Sequence, residues 1–221
     1  MKTAVIVQAR LGSTRLPGKV LLSLAGKTVV EQVLARARVP GADEVVAAIP
    51  AGETALAEAV RRVPGVTLFE GHPTDVLDRY YQAAKSVHAD TIVRLTADCP
   101  LTDPEVSGRV LRALIEHKAA YASNNNPPTF PHGLDVEAFT FAALEAAWKE
   151  ATLPRDREHV TYFLTDRPER FKVVNVPNHE DLHDLRITLD TPADYALLSS
   201  LFDRLGGEAR WRDAVGLLRC P

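Results

Sequence analysis

The chain has 221 residues, of which 46% are hydrophobic and 25% charged, with a formal net charge of −3. That size and apolar content support one α/β domain over residues 1–221, and the weakly acidic balance leaves no global positive field to hold a nucleic acid. Two widely separated cysteines, Cys99 and Cys220, indicate no disulfide framework, no leader precedes the first apolar run, and no stretch nears the roughly 18 apolar residues of a membrane helix; a soluble protein of the cytoplasm is expected.

Ala4 to Val7 reads as a buried strand, and it gives way at once to a loop carrying Arg10, Arg15 and Lys19 among Gly12, Ser13, Thr14 and Gly18. Glycines let backbone N–H groups approach a ligand, hydroxyls add donors, and three neighbouring cations repel one another unless an anion lies between them. A polyphosphate suits that loop, which follows the first strand of an α/β pattern, where ligands gather. It is not the P-loop of ATPases. Five residues rather than four separate Gly12 from Gly18, and Val20 follows Lys19 where that motif has Ser or Thr.

Downstream, the periodicity predicts a helix over 28–38, a strand over 43–49, a helix over 53–62, a strand over 66–70 and a helix over 75–87 capped by Thr74. Such alternation with short links argues a mainly parallel sheet with helices on both faces. A fourth strand, 91–97, ends at Asp98-Cys99-Pro100, where this architecture places a metal or substrate ligand. Asp103-Pro104 then opens a helix that turns Val106, Val110, Leu111, Leu114 and Ile115 inward.

From Ser123 to Gly133 the turn residues are too dense for a regular element, and 134–139 follows as an alternating strand. Amides, a histidine and aromatics suit a sugar pocket, which brings in Asn124 and His132. Asp135 and Glu137, two apart on that strand, point to one side, either as a metal cluster with His132 or toward sugar hydroxyls. Helices are expected over 141–152 and 155–165, the second presenting Arg157, Glu158 and His159 as a charge cluster or a substrate face. Strands over 171–176 and 185–189 come next, the latter ending at Asp190. Thr191, Pro192 and Asp194 form a helix-start signature, and a last helix spans 208–218.

Asp98 and Asp190 both fall at strand-to-helix switches on one expected sheet edge. Two carboxylates beside a basic loop suit Mg²⁺, which takes a few carboxylates and fills its remaining positions with water and phosphate oxygens. His179 to His183 spells the H-E-x-x-H pattern of zinc peptidases, but that motif works only on a helix. Pro177 ahead and the strand-like 185–189 behind leave it no room, so the match reads as chance. Cys99, with no base beside it, reads as a small packed residue.

The stretch Gln8 to Val20 resembles the N-terminal signature of the CMP-sugar synthetases, the cytidylyltransferases that activate 3-deoxy-manno-octulosonate and sialic acids. It is most similar to their smaller relatives, the spore-coat polysaccharide biosynthesis protein F group. Further matches follow in order at 75–80, 94–101, Ser123-Asn124, 132–137, 157–161 and 185–191. The resemblance implies a nucleotide-diphospho-sugar transferase (GT-A-like) fold, a three-layer α/β/α sandwich with a mostly parallel sheet. It also implies Mg²⁺-dependent transfer of CMP from CTP to a sugar with loss of pyrophosphate, by a homodimer. Carried over by position, it gives Ala9, Arg10, Leu11, Gly12, Ser13, Lys19 and Thr96 to the nucleotide. Lys19, Arg15 and Asp98 fall at the chemistry, and Asp98 and Asp190 on the metal. Asn124, His132, Asp135, Glu137, Arg157 and His159 are assigned to the sugar. Cys99 stands where the octulosonate enzymes have glutamate and Val20 where the sialate enzymes have asparagine, so the acceptor stays open. A glycosyltransferase on the same fold, or a transferase for another base, is the alternative.

Overall fold

The computed structural model describes residues 1–219, so Cys220 lies outside it. The chain opens with β1 (Thr3–Gln8), makes a single 3₁₀ turn at Lys19–Leu21 and a short hairpin of β2 (Ser23–Leu24) and β3 (Lys27–Thr28), then enters α1 (Val29–Arg36). It continues through β4 (Glu44–Pro50), α2 (Thr54–Arg61), β5 (Val66–Gly71), α3 (Val76–Ser86), β6 (Thr91–Thr96) and α4 (Pro104–Glu116). The second half holds β7 (Tyr121–Ser123), β8 (Glu137–Thr140), α5 (Phe141–Glu150), α6 (Pro154–His159), α7 (Tyr162–Thr165), β9 (Val173–Asn175), α8 (Pro192–Leu205) and α9 (Trp211–Arg219).

One seven-stranded sheet runs in the order β5-β4-β1-β6-β8-β7-β9. β5, β4, β1 and β6 are mutually parallel, β8 is antiparallel to both its neighbours, and β9 is parallel to β7. The side chains of β1 explain the layering. Val5 and Val7 enter one core with α1, α2, α4 and α8, while Ala4 and Ile6 enter a second core with α3 and α5. A strand buried on both faces reads as an unbroken apolar run, as β1 does. The result is the expected α/β/α arrangement. Among the described residues no helix is long and apolar enough to cross a membrane.

The departures from the sequence expectations have local causes. Asp75, not Thr74, caps α3: its backbone is extended and its carboxylate accepts from the Asp78 N–H at 2.9 Å. The helix expected over 155–165 breaks at Val160, whose φ is +62°, and the break turns the Thr161 hydroxyl onto the buried Glu137. β8 starts at Glu137 rather than 134, because the Val136 N–H and C=O pair with Asn124 instead. Ile115 faces outward, 44% exposed.

The largest departure is 185–189, which joins no sheet. It makes one parallel bridge between Arg186 and His132, and the Leu189 N–H donates to the Asp98 carbonyl at 2.8 Å. It is thus laid between the 132 turn and the end of β6. Gly133, at φ +114°, permits this: a β-carbon there would sit 2.8 Å from the Ile187 carbonyl carbon and the Thr188 nitrogen. Gly133→Ala is expected to cost about 2 kcal/mol or more, from strain plus a backbone clash. The check is its urea midpoint against wild type.

Candidate active site

β4 and β5 extend the sheet on one side of β1, and β6 lies on the other, so the chain changes direction at β1. In open α/β sheets the crevice beyond the strand ends at such a point is where ligands bind. The loop after β1 and the residues after β6 form that crevice here, held together by the Ala97 N–H donating to the Gln8 carbonyl at 2.9 Å. The Leu11 N–H donates to both oxygens of Glu53, at 3.1 and 3.0 Å, and the Gly18 N–H donates to the Leu11 carbonyl. Gly18, at φ +68°, then turns the chain so that Lys19 points inward.

Lys19 is the hub. Its Nζ donates to Asp98 Oδ2 at 2.8 Å, to Asp190 Oδ1 at 2.8 Å and to the Leu189 carbonyl at 2.7 Å. The Thr188 hydroxyl and Leu189 N–H both donate to the Asp98 carbonyl, so the two aspartates sit on directly bonded backbone. Arg15 reaches Asp190 Oδ1 at 3.0 Å from the solvent side, and Arg186 holds the other oxygen at 2.6 Å. Arg186 also grips Asp194, which accepts from the Asp190 and Thr191 N–H groups. Burial penalises the Lys19 charge, but the two aspartates outweigh it and raise its pKa. Burial likewise opposes the Asp190 carboxylate, and Lys19, Arg186 and Arg15 hold its pKa below the ordinary value.

A cleft of about 620 Å³ opens over this cluster. From the basic loop, Ala9, Arg10, Gly12, Ser13, Arg15 and Lys19 line it; Thr96 and Asp98 follow from the end of β6, and Asp190 faces them. On the far side stand His132, Asp135 and His159. Four of the sequence-derived positions are not among the lining residues. Leu11 gives its N–H to Glu53. Asn124 is 1% exposed, and its amide bonds the backbone of Leu134 and Val136. Glu137 is buried against Arg94, Tyr121 and Thr161. Arg157 clasps Asp75 beside an adjoining hollow that it shares with Arg10 and Glu158. Asp135 precedes β8, so it does not share a strand face with Glu137: one lines the cleft and the other is enclosed.

Three further lining residues, Gln8, Arg79 and Arg94, lie inside the matched stretches 8–20, 75–80 and 94–101, yet the sequence assigns them no site role. Arg94 had a signal, a lone cation inside an apolar strand. Its guanidinium binds the Gln8 amide oxygen at 3.0 and 3.2 Å, pairs with Glu137 and lies over the Tyr80 ring. Burial penalises its charge, and Glu137 more than restores it, so its pKa is raised. Cys99 is buried, and burial together with the Asp98 charge pushes its thiol well up, as suits a packed residue. Residues 179–183 are non-helical, and His183 Nδ1 lies 2.8 Å from Asp181, so the peptidase pattern has no shared helical face.

The family model described as Cytidylyltransferase matches residues 4–203. An uncharacterised protein of Methanocaldococcus jannaschii is 38% identical over 218 residues, covering 95% of this chain and 88% of that protein. The spore coat polysaccharide biosynthesis protein SpsF of Bacillus subtilis is 31% identical over 209 residues, covering 91% of this chain and 86% of its own. A solved cytidylyltransferase from Leptospira borgpetersenii superposes with a TM-score of 0.93 at 32% identity, over 99% of this chain and 94% of that one.

Asp194 anchors the Asp190 segment, and its own pKa is lowered: burial opposes its charge, but Arg186 and the Asp190 and Thr191 N–H groups prevail. A carboxyl held below its unfolded value stabilises fully above about pH 4, and that contribution is lost as pH falls through the folded value. Asp194→Asn should therefore be less stable by about 2 kcal/mol at neutral pH. The difference from wild type should shrink as denaturation is repeated toward pH 2.

Proposed function

The chain belongs to the cytidylyltransferase family and is a cytidylyltransferase, and on that premise we propose that it transfers CMP from CTP to a sugar, with Mg²⁺ and release of pyrophosphate. One observation carries the reading: Asp98 and Asp190 converge on a single ammonium beneath a loop bearing Arg10 and Arg15, at the mouth of a cleft. The name of the Bacillus subtilis relative assigns that protein to polysaccharide biosynthesis, and we extend the same setting, the making of a glycan precursor, to this chain.

The donor set fits a hard divalent cation. It consists of carboxylate oxygens, two of which already converge on one positive charge, and two protein carboxylates plus substrate phosphate is how magnesium is usually held. Asp98 and Asp190 would hold it, and when bound it supplies charge neutralisation at the phosphate undergoing substitution. Arg15, largely exposed, is free to swing onto the triphosphate. Lys19, whose Nζ meets the same two carboxylates and the Leu189 carbonyl, presents a positive charge beside the phosphates as negative charge builds on them. An acceptor oxygen attacks the α-phosphorus in line, and placement with charge stabilisation supplies most of the rate gain.

Lys19→Ala should lower turnover by about 100-fold or more in a pyrophosphate-release assay, the usual loss for one preorganised donor. Wild-type turnover in that variant would remove Lys19 from the chemistry. In a thermal-shift series with Mg²⁺, CTP should raise the Tm well above UTP, GTP or ATP. A ligand at 100 times its Kd stabilises by about 2.7 kcal/mol. Equal shifts for all four would argue against the assigned base, and absence of pyrophosphate with every nonulosonic acid and sugar 1-phosphate tried would overturn the reading.

A further inference from the structure

We propose that His132, oriented by Asp135, is the general base of the transfer, taking the proton from the attacking acceptor hydroxyl. The inference rests on the CMP-transfer reading above and adds to it the group that takes the proton.

The geometry is that of a carboxylate–imidazole dyad. His132 Nδ1 lies 3.2 Å from Asp135 Oδ2, and the same oxygen accepts the Gly133 N–H at 3.1 Å, which fixes the carboxylate. A carboxylate on Nδ1 selects the tautomer with the proton there and leaves the lone pair on Nε2. Nε2 has no hydrogen-bond partner among the described residues. The backbone of His132 is clamped on both sides to the segment that carries Asp190: its N–H donates to Leu185 and its carbonyl accepts from Ile187, both at 2.8 Å. The imidazole and the Asp190 carboxylate are thus set by one frame. Both members of the dyad line the cleft, and the His132 side chain is half-exposed to it.

The other groups in the cleft are unsuited to take a proton. Lys19 is kept charged by two carboxylates; Asp98 and Asp190 are occupied by Lys19; Cys99 is buried as a thiol. Glu158 faces Arg10 at 3.9 Å, and His159 packs against the Tyr162 ring at 4.7 Å with no carboxylate partner among the described residues to set its tautomer. The charges facing His132 are Asp135 on its own loop, and Arg186 and Asp190 on the clamped segment. The Asp135 contact outweighs burial and the Arg186 charge and raises the imidazole pKa from its ordinary value, as pairing with a carboxylate does.

The step balances without a further reactant. His132 Nε2 takes the hydroxyl proton, the oxygen forms a bond to the α-phosphorus of CTP, and the bond from that phosphorus to the bridging oxygen breaks. Pyrophosphate leaves with the electron pair. An alcohol needs such a base because its pKa lies far above neutrality, whereas a sugar phosphate is already an anion and does not.

The test is the pH–rate profile of CMP transfer at saturating CTP, with a nonulosonic acid as hydroxyl acceptor and a hexose 1-phosphate as phosphate acceptor. Wild type should use the hydroxyl acceptor, with an acidic limb whose midpoint matches the His132 pKa read by NMR titration of its ring protons. His132→Gln should lose that limb and about 100-fold or more in kcat, with acceptor KM little changed. Asp135→Asn should move both the limb and the NMR midpoint to lower pH. A His132→Gln enzyme that keeps the wild-type limb and kcat and shows only a raised KM would overturn the proposal, as would turnover confined to the phosphate acceptor. Wild type that transfers CMP to no acceptor would sink the transferase reading as well, which separates the two failures.

Discussion

The ammonium of Lys19 between Asp98 and Asp190 is the constraint on which the rest of the site depends. Two carboxylates brought this close in a partly buried place repel each other, and neither has enough water around it to disperse its charge. Lys19 answers both, and its third proton binds the Leu189 carbonyl. Arg15 and Arg186 oppose Asp190, and Asp194 in turn opposes Arg186. Three carboxylates therefore face three cations, and the cluster as a whole is close to neutral. A phosphate ligand entering it meets Lys19 already held in place and Arg15 able to swing in from the solvent side.

That cluster needs a scaffold that delivers three distant stretches of chain to one point. β1 and β6, adjacent and parallel, bring the basic loop and Asp98 together at their carboxyl ends. The third stretch arrives differently. Segment 185–190 is no strand, yet it is pinned to the Asp98 carbonyl on one side and to His132 on the other. Because Gly133 has no β-carbon, the two backbones approach closely enough for the same segment to position Asp190 and the imidazole.

Beneath the cleft a second buried ion pair does a different job. Arg94 sits mid-strand, where a charge is costly, and Glu137, Gln8 and the Tyr80 ring surround it. Glu137 also receives the hydroxyls of Tyr121 and Thr161, both at 2.6 Å. A buried pair with its remaining hydrogen bonds made is tolerable, and losing one partner leaves an uncompensated charge. This network ties β6, β7, β8 and the start of α7 into one floor under the site.

Local patterns carry the elements they predict when the cause is itself local. The Asp103-Pro104 start of α4 and the Thr191, Pro192 and Asp194 start of α8 each contain both partners of the interaction that makes them, and the unbroken apolar run of β1 marks a strand covered on both faces. The basic loop and Asp98 after β6 were legible for the same reason, since cations among glycines and a carboxylate after an apolar strand are visible in a line of text, whereas Asp190 ends a segment that pairs as no strand. The partners of a long side chain are not visible in that way. That Arg157 would turn to Asp75, that Glu137 would be enclosed by Arg94 rather than face the cleft beside Asp135, and that 185–189 would lie unpaired against Asp98 all depend on residues far off in the chain. The sequence by itself thus determined the alternation of strands and helices in the first half, the mainly parallel sheet covered on both faces and the chemical types gathered at its edge. Only the tertiary structure decided which of those groups meet, because hydrogen bonds and ion pairs act over about 3 Å and pairing at that range is set by the whole fold.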